Sequence, residues 1–231
     1  MFIAKKLFFI AFILSTAVVA NCFADYIADI PIERIKGTLT SPPYEWDYGY
    51  DIGFSNLEMN IELRLYHRNF GPTSDVAQLW EAGIENTWNH KFDIADRSFH
   101  YHINFDVVFC SELSSDVHHS LGSGWTSDTS GQAAAHEIGH QIGLYDEYVG
   151  GKVDFSNPII DMNSIMGDLD GAACSRHYQA FLNWVKPAAD GRKLSLVEYD
   201  PSWVNPTIPE PATLLLLGLG LILQRKISVK R

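Results

Sequence analysis

The chain has 231 residues, 46% of them apolar and 19% charged, enough apolar material to bury a sizeable core and too much for a disordered, collagen-like or low-complexity chain. Six of its 17 basic residues (Lys5, Lys6, Arg225, Lys226, Lys230 and Arg231) lie at the ends, leaving 11 against 28 acidic residues between 25 and 210, a net charge of -17 there. Such a surface repels phosphate backbones and argues against nucleic acid as a partner, while three cysteines are too few for a disulfide-dense scaffold or a four-cysteine zinc module.

Residues 1–24 read as a secretory signal, with Lys5 and Lys6 as the basic region, Leu7 to Ala20 as a 14-residue apolar run, and Cys22-Phe23-Ala24 as a small-x-small cleavage site. The run is shorter than the ~20 residues of a spanning helix, which favours cleavage after Ala24 over an uncleaved anchor. Residues 25–206 are read as one domain. From Asp25 to Asp51, three prolines and several aromatics without a clear period suggest an extended segment laid over that domain.

Leu57, Met59, Ile61, Leu63 and Leu65 then alternate with polar residues, the period of a half-buried strand. Ser74 opens a helix with Val76, Leu79, Trp80, Ile84 and Trp88 at three- and four-residue spacing. From His100 to Cys110 the pattern returns to strand, with Tyr101, Ile103, Phe105, Val107 and Phe109 on one face. Ser114 to Ser130 is rich in Ser, Gly and Asp and reads as loop around one short edge strand. Thr129 and Gln132 stand in capping-box relation at the start of a second helix, whose core face is Ala134, Ile138 and Ile142 and whose end is Gly143. Ser175 to Val185 reads as helix stopping before Pro187, and Leu194 to Tyr199 as a last strand.

The second helix carries His136-Glu137-Ile138-Gly139-His140-Gln141-Ile142-Gly143-Leu144-Tyr145-Asp146. Histidines at i and i+4 lie one above the other on a helix face, so their imidazoles can converge on one zinc ion. Glu137, one position round the helix, is offset from the ligand direction and suits a general base for a metal-activated water. Gly143 reverses the chain and brings Asp146 back as a third ligand, leaving a fourth position open as in catalytic zinc sites. From this composition a shuffled chain would hold His-Glu-x-x-His roughly twice in a hundred trials, and the extension to a terminal His or Asp about once in ten thousand. Glu147 follows Asp146 directly, so a one-residue shift could exchange the ligand.

The string resembles the metzincin metalloproteases, whose motif runs His-Glu-x-x-His-x-x-Gly-x-x-His, with Asp as the last residue in members such as the snapalysins. The resemblance implies an α+β zincin fold: a twisted mixed β-sheet with two main helices above a small irregular C-terminal subdomain. It implies His136, His140 and Asp146 as zinc ligands, Glu137 as base, and Met166, in Ser164-Ile165-Met166-Gly167, as the Met-turn methionine beneath the metal. Where many metzincins carry a tyrosine two residues later, this chain has Asp168, which leaves the oxyanion helper unassigned. A zincin of another clan would take a glutamate from a later helix, and Ser175 to Val185 contains none.

Other candidates are weaker. His118, His119 and His177 could be ligands, but such histidines are more often solvated or capping. Asp161, Asn163, Asp168 and Asp170 surround the Met-turn and could hold Ca2+ through oxygen ligands. Cys110 and Cys174, the only cysteines after the signal, leave a disulfide open in an oxidising compartment.

Residues 207–231 contain Pro209-Glu210-Pro211, an apolar run from Ala212 to Leu223 and a basic end, resembling the PEP-CTERM sorting tail. That resemblance implies an exosortase-type partner in a Gram-negative bacterium. A twelve-residue helix is ~18 Å long, short of the ~30 Å hydrocarbon core, so residues 212–223 would hold the membrane only transiently. The expected protein is an exported zinc endopeptidase acting on a protein or peptide substrate at the cell surface or outside the cell. The alternative is a non-catalytic zinc-binding surface or biofilm-matrix protein.

Overall fold

Strand β3 (Glu58–His67) has the plainest alternation, and it becomes the middle of the sheet. Met59, Ile61, Leu63 and Leu65 are fully buried on one face, with polar side chains between them. The computed structural model describes residues 26–205, with Ile27–Trp203 forming one compact unit; the signal and the sorting segment lie outside the described residues.

β3 follows β2 (Tyr44–Ser55) through a two-residue turn, Asn56-Leu57, in which both residues have positive φ (54° and 67°). That is the turn geometry whose twist matches antiparallel strands. Leu57, expected as the first inward residue of the strand, therefore belongs to the turn. β2 pairs in turn with β1 (Ile30–Ser41). Residues 25–51, expected as an extended segment laid over the domain, are mostly part of a hairpin of two twelve-residue strands. Its strand signal is masked because β1 is an edge strand, exposed along most of its length, while β2 is buried on both faces from Gly49 to Phe54. Pro31 falls at the one register shift of the pair, between Ile30 and Glu33, where a missing N–H costs no ladder bond.

Helix α1 (Asp75–Trp88) connects β3 toward its parallel neighbour β5 (His100–Cys110), as parallel pairing requires a crossover. The Ser74 hydroxyl caps it, accepting from the Ala77 amide at 3.2 Å. Its buried stripe is Ala77, Trp80, Ile84 and Trp88; Leu79, expected on that face, is 52% exposed. A short strand β4 (Phe92–Ala95) pairs antiparallel with β5, and β7 (Ser195–Glu198) pairs with β4, so the C-terminal part returns to the main sheet. β6 (His119–Leu121) pairs with the end of β3 opposite β5, since Leu65 is registered with both Phe109 and His119. The order β1-β2-β3-β5-β4-β7 makes a mixed sheet, in agreement with the expected α+β class.

Helix α2 (Gly131–Gln141) crosses α1 at two glycines. A Cβ at Gly83 would lie 2.3 Å from the Gly131 Cα, so the backbones meet where neither has a side chain. Two indoles fix the crossing: Trp80 Nε1 donates to the Thr129 carbonyl and Trp88 Nε1 to the Ala135 carbonyl, both at 3.0 Å. The helix read at 175–185 is a 3₁₀ turn (Ser175–Tyr178) followed by α3 (Gln179–Val185), which packs Phe181, Leu182 and Val185 inward and gives way to a second 3₁₀ turn containing Pro187. Cys110 and Cys174 are free thiols, so the disulfide left open by the sequence is not formed.

Candidate metal centre

The N-cap of α2 is Ser130, whose hydroxyl accepts from the Ala133 amide at 3.1 Å; Thr129, expected in that role, accepts from the Thr126 amide in the loop. The one-residue shift leaves the histidines on the buried side. His136 and His140 are both less than a tenth exposed, with ring planes 89° apart and centroids 5.1 Å apart. The C-terminus is set by Gly143 at φ 93°, where the Gly143 amide donates to the His140 carbonyl and the Leu144 amide to the Gly139 carbonyl. This paired closure satisfies two end carbonyls and turns the chain back on the helix.

The reversal delivers Asp146. Its Oδ1 lies 3.2 Å from His136 Nε2 and 3.3 Å from His140 Nε2, and its Oδ2 accepts from the Lys152 amide at 2.6 Å. Among the described residues, only His136, His140 and Asp146 bring three such ligand atoms within 4.8 Å of one another. Both Nδ1 atoms face backbone carbonyls, His136 toward Ile165 at 2.8 Å and His140 toward Leu144 at 2.9 Å. With Nδ1 engaged there, Nε2 is the ring atom each histidine turns toward Asp146. Asp146 Oδ1 is buried and receives no hydrogen bond. Burial alone would raise the Asp146 pKa, but the two facing imidazoles and the Lys152 amide hold it well below the ordinary carboxylate range. Two imidazole nitrogens and a carboxylate oxygen converging in this way are a donor set that fits a borderline-soft divalent cation such as zinc.

Glu137 is exposed beside this cluster and supplies none of its three atoms. Glu147 points elsewhere: Arg176 donates to it through Nε at 2.7 Å and through Nη2, and His177 Nε2 lies 3.3 Å away. Burial would raise the Glu147 pKa, but the guanidinium outweighs it and pushes the value down to about 2. Of the two adjacent carboxylates, then, Asp146 joins the histidines and Glu147 ties the loop to the C-terminal 3₁₀ turn.

Met166 lies fully buried against α2, where a Cβ at Gly139 would come 2.2 Å from its sulfur. The turn is closed by the Gly167 and Asp168 amides, which both donate to the Ser164 carbonyl at 2.9 Å, and the carbonyl preceding Met166 is the one that holds His136. Asp168 is exposed. The other candidates are committed elsewhere. His118 Nδ1 accepts from the Arg64 amide, His119 Nε2 contacts the Gly49 carbonyl, and His177 Nδ1 accepts from the Cys174 amide. Asp161 is bonded to Arg176 and to the Asn163 amide, and Asp168 to the Asp170 amide.

Two contributors escaped the sequence reading. Trp46, near the tip of the β1-β2 hairpin, stands edge-on to His140 and to Tyr145, each at 5.5 Å. Tyr148, two residues after Asp146, sets its ring 6.5 Å from that of His136. The only available signal for Tyr148 was its closeness in sequence to Asp146; Trp46 had none, since its place depends on the hairpin.

A family model for the PEP-CTERM protein-sorting motif matches residues 207–231. The chain carries an exosortase-type sorting tail. It therefore bears the mark of export and membrane-associated sorting in Gram-negative bacteria. Neither a curated protein nor a solved structure matches the chain. No helix among the described residues is long and apolar enough to cross a membrane.

Proposed function

We propose that Ile27–Trp203 is a zinc-dependent endopeptidase of metzincin type, carried through the inner membrane with its sorting tail. The observation that carries this reading is the convergence of His136 Nε2, His140 Nε2 and Asp146 Oδ1 with both imidazoles already oriented by backbone carbonyls. His136, His140 and Asp146 would hold the zinc, which would supply Lewis acidity to a scissile carbonyl and to a water. The rest is done by the chain. Glu137, open to solvent, takes a proton from the attacking water and passes it to the leaving amine. Met166 and Gly139, in close contact, fix the turn whose carbonyl orients His136. An open groove of about 900 Å3, lined among others by Gln132, Tyr148, Ile160, Met162 and Leu169, gives an extended peptide a place to lie.

The free Glu137 also separates this reading from a purely structural metal site, which has no use for an unpaired carboxylate beside its ligands. The test is hydrolysis of casein by the zinc-loaded chain with and without chelator, together with Glu137→Gln. The variant should keep its zinc and lose activity by about 10²–10⁴-fold. Stoichiometric zinc with no hydrolysis by the wild type would instead favour a non-catalytic surface or matrix protein.

A further inference from the structure

We propose that Trp46, near the tip of the β1-β2 hairpin, is a positioning residue that preorganises His140 and Asp146, two of the three proposed zinc ligands. The inference rests on the zinc centre of the reading above. β1 and β2 stay paired out to Ser41 and Tyr44, whereas β2 is registered with β3 only over Asp51–Ser55. The outer half of the hairpin therefore projects past that pairing, and a two-stranded ribbon has little stability by itself. The period of a strand puts Tyr44, Trp46 and Tyr48 on one face of β2, and that face meets the segment from His140 to Lys152.

Each ring engages a different part of the chain reversal. Tyr48 lies on Gly143, where an added Cβ would stand 3.3 Å from Tyr48 Cε2. Trp46 stands edge-on to His140, the ring planes 73° apart, while His140 Nδ1 faces the Leu144 carbonyl at 2.9 Å. The carbonyl fixes one atom of the imidazole and the indole blocks the swing of the ring about it, so Nε2 keeps one direction. The Lys152 ammonium lies 5.6 Å from the Trp46 ring centre and 5.7 Å from that of Tyr44, and the Lys152 amide is the donor to Asp146 Oδ2 at 2.6 Å. Tyr145, between the two ligands, meets the Trp46 ring at 5.5 Å and reaches the Thr40 carbonyl through its hydroxyl at 3.5 Å. One indole thus acts on His140 directly and on Asp146 through Lys152. Trp46 Nε1 is buried without a hydrogen-bond partner among the described residues, which is unfavourable, so the ring is there for its surface and not for its N–H. Ligands already held in place spare the metal the cost of ordering them, and by linkage zinc must hold the hairpin down by the same factor.

The experiment uses the full chain as wild type, Trp46→Phe and Trp46→Ala. Zinc affinity is read by competition with a chromogenic chelator, and hairpin docking by hydrogen exchange of the amides from Tyr44 to Tyr48 with and without zinc. Trp46→Ala should bind zinc about 10–100-fold more weakly than the wild type, whereas Trp46→Phe, which keeps a ring edge on His140 and sheds the orphaned N–H, should stay within about threefold. Zinc should slow exchange at the tip by about the same 10–100-fold in the wild type and leave it nearly unchanged in Trp46→Ala. Equal loss of affinity in both variants, or exchange at the wild-type tip that ignores zinc, would make the hairpin a general support of the fold and overturn the proposal. The exchange measurement needs no variant, so it decides even where Trp46→Ala fails to fold. Unchanged zinc affinity in Trp46→Ala would overturn the proposal while leaving the endopeptidase reading intact. A wild type that binds no zinc would overturn both.

Discussion

Asp146 and Glu147 are adjacent in the chain and face opposite ways, Asp146 Oδ1 within 3.3 Å of the His136 and His140 imidazoles and Glu147 held by Arg176 and His177. The separation follows from the backbone: the Glu147 amide donates to the Met166 carbonyl and its carbonyl accepts from the Asp161 amide, each at 2.8 Å, which fixes the direction of both side chains.

Asp146→Ala and Glu147→Ala should therefore fail differently. Removing Asp146 takes one of three ligand atoms, and zinc binding should weaken far beyond the 10–100-fold typical of outer-shell changes. Removing Glu147 leaves a guanidinium without its main partner and should destabilise the fold by about 3–5 kcal/mol, the usual cost of breaking a buried pair, or somewhat less because Arg176 is 34% exposed. Metal titration and denaturant melts of the two variants check this. Retention of zinc by Asp146→Ala would remove it from the ligand set.

The crossing of α1 and α2 gives a second test. At Gly83 an added methyl meets backbone atoms of Gly131 at 2.3–2.6 Å, which cannot rotate away. Ala improves helix propensity by about 1 kcal/mol, but the overpacking exceeds it, and Gly83→Ala should be net destabilising by about 1–3 kcal/mol. Because α2 carries both histidines, zinc affinity should fall with it. A variant as stable as the wild type would show that the helices can separate freely.

His119 sets a pH dependence away from the His136, His140 and Asp146 cluster. Burial, partly offset by the hydrogen bond to the Gly49 carbonyl, pushes its pKa down to about 4 from the ordinary 6.5. The unfolded chain thus takes up this proton first as pH falls, so the contribution to stability is fully present above about 6.5 and is lost progressively toward about 4. Melting temperatures from pH 7 to 4.5 should fall less steeply in His119→Gln than in the wild type. Parallel curves would mean that His119 does not stay neutral in the fold.

The sorting tail predicts its own removal. With Pro209-Glu210-Pro211 ahead of a twelve-residue apolar run and a basic end, the segment is a poor permanent anchor. Mass spectrometry of the mature protein from its host should find a C-terminus before Ala212. A C-terminus at Arg231 in the inner membrane would make the segment an anchor.

The sequence by itself determined what depends on short spacing. The i, i+4 histidines, the glycine that must take positive φ after them, the buried alternation of β3 and β5, and the sorting tail are all written within windows of a few residues, because helix period, strand period and left-handed turns are local properties of the backbone. The tertiary structure decided everything that needed two distant segments. Thr129 and Ser130 are both adequate caps, and Trp80 drawing on the Thr129 carbonyl belongs to the packing that selects between them. Asp146 and Glu147 were both plausible ligands until Arg176, 29 residues further on, engaged one of them. The β1-β2 hairpin was illegible because an edge strand buries little and β2 buries both faces, so neither shows the alternation from which strands are read. Trp46 reaches His140 only through that hairpin, and its place beside that imidazole exists in the folded chain alone.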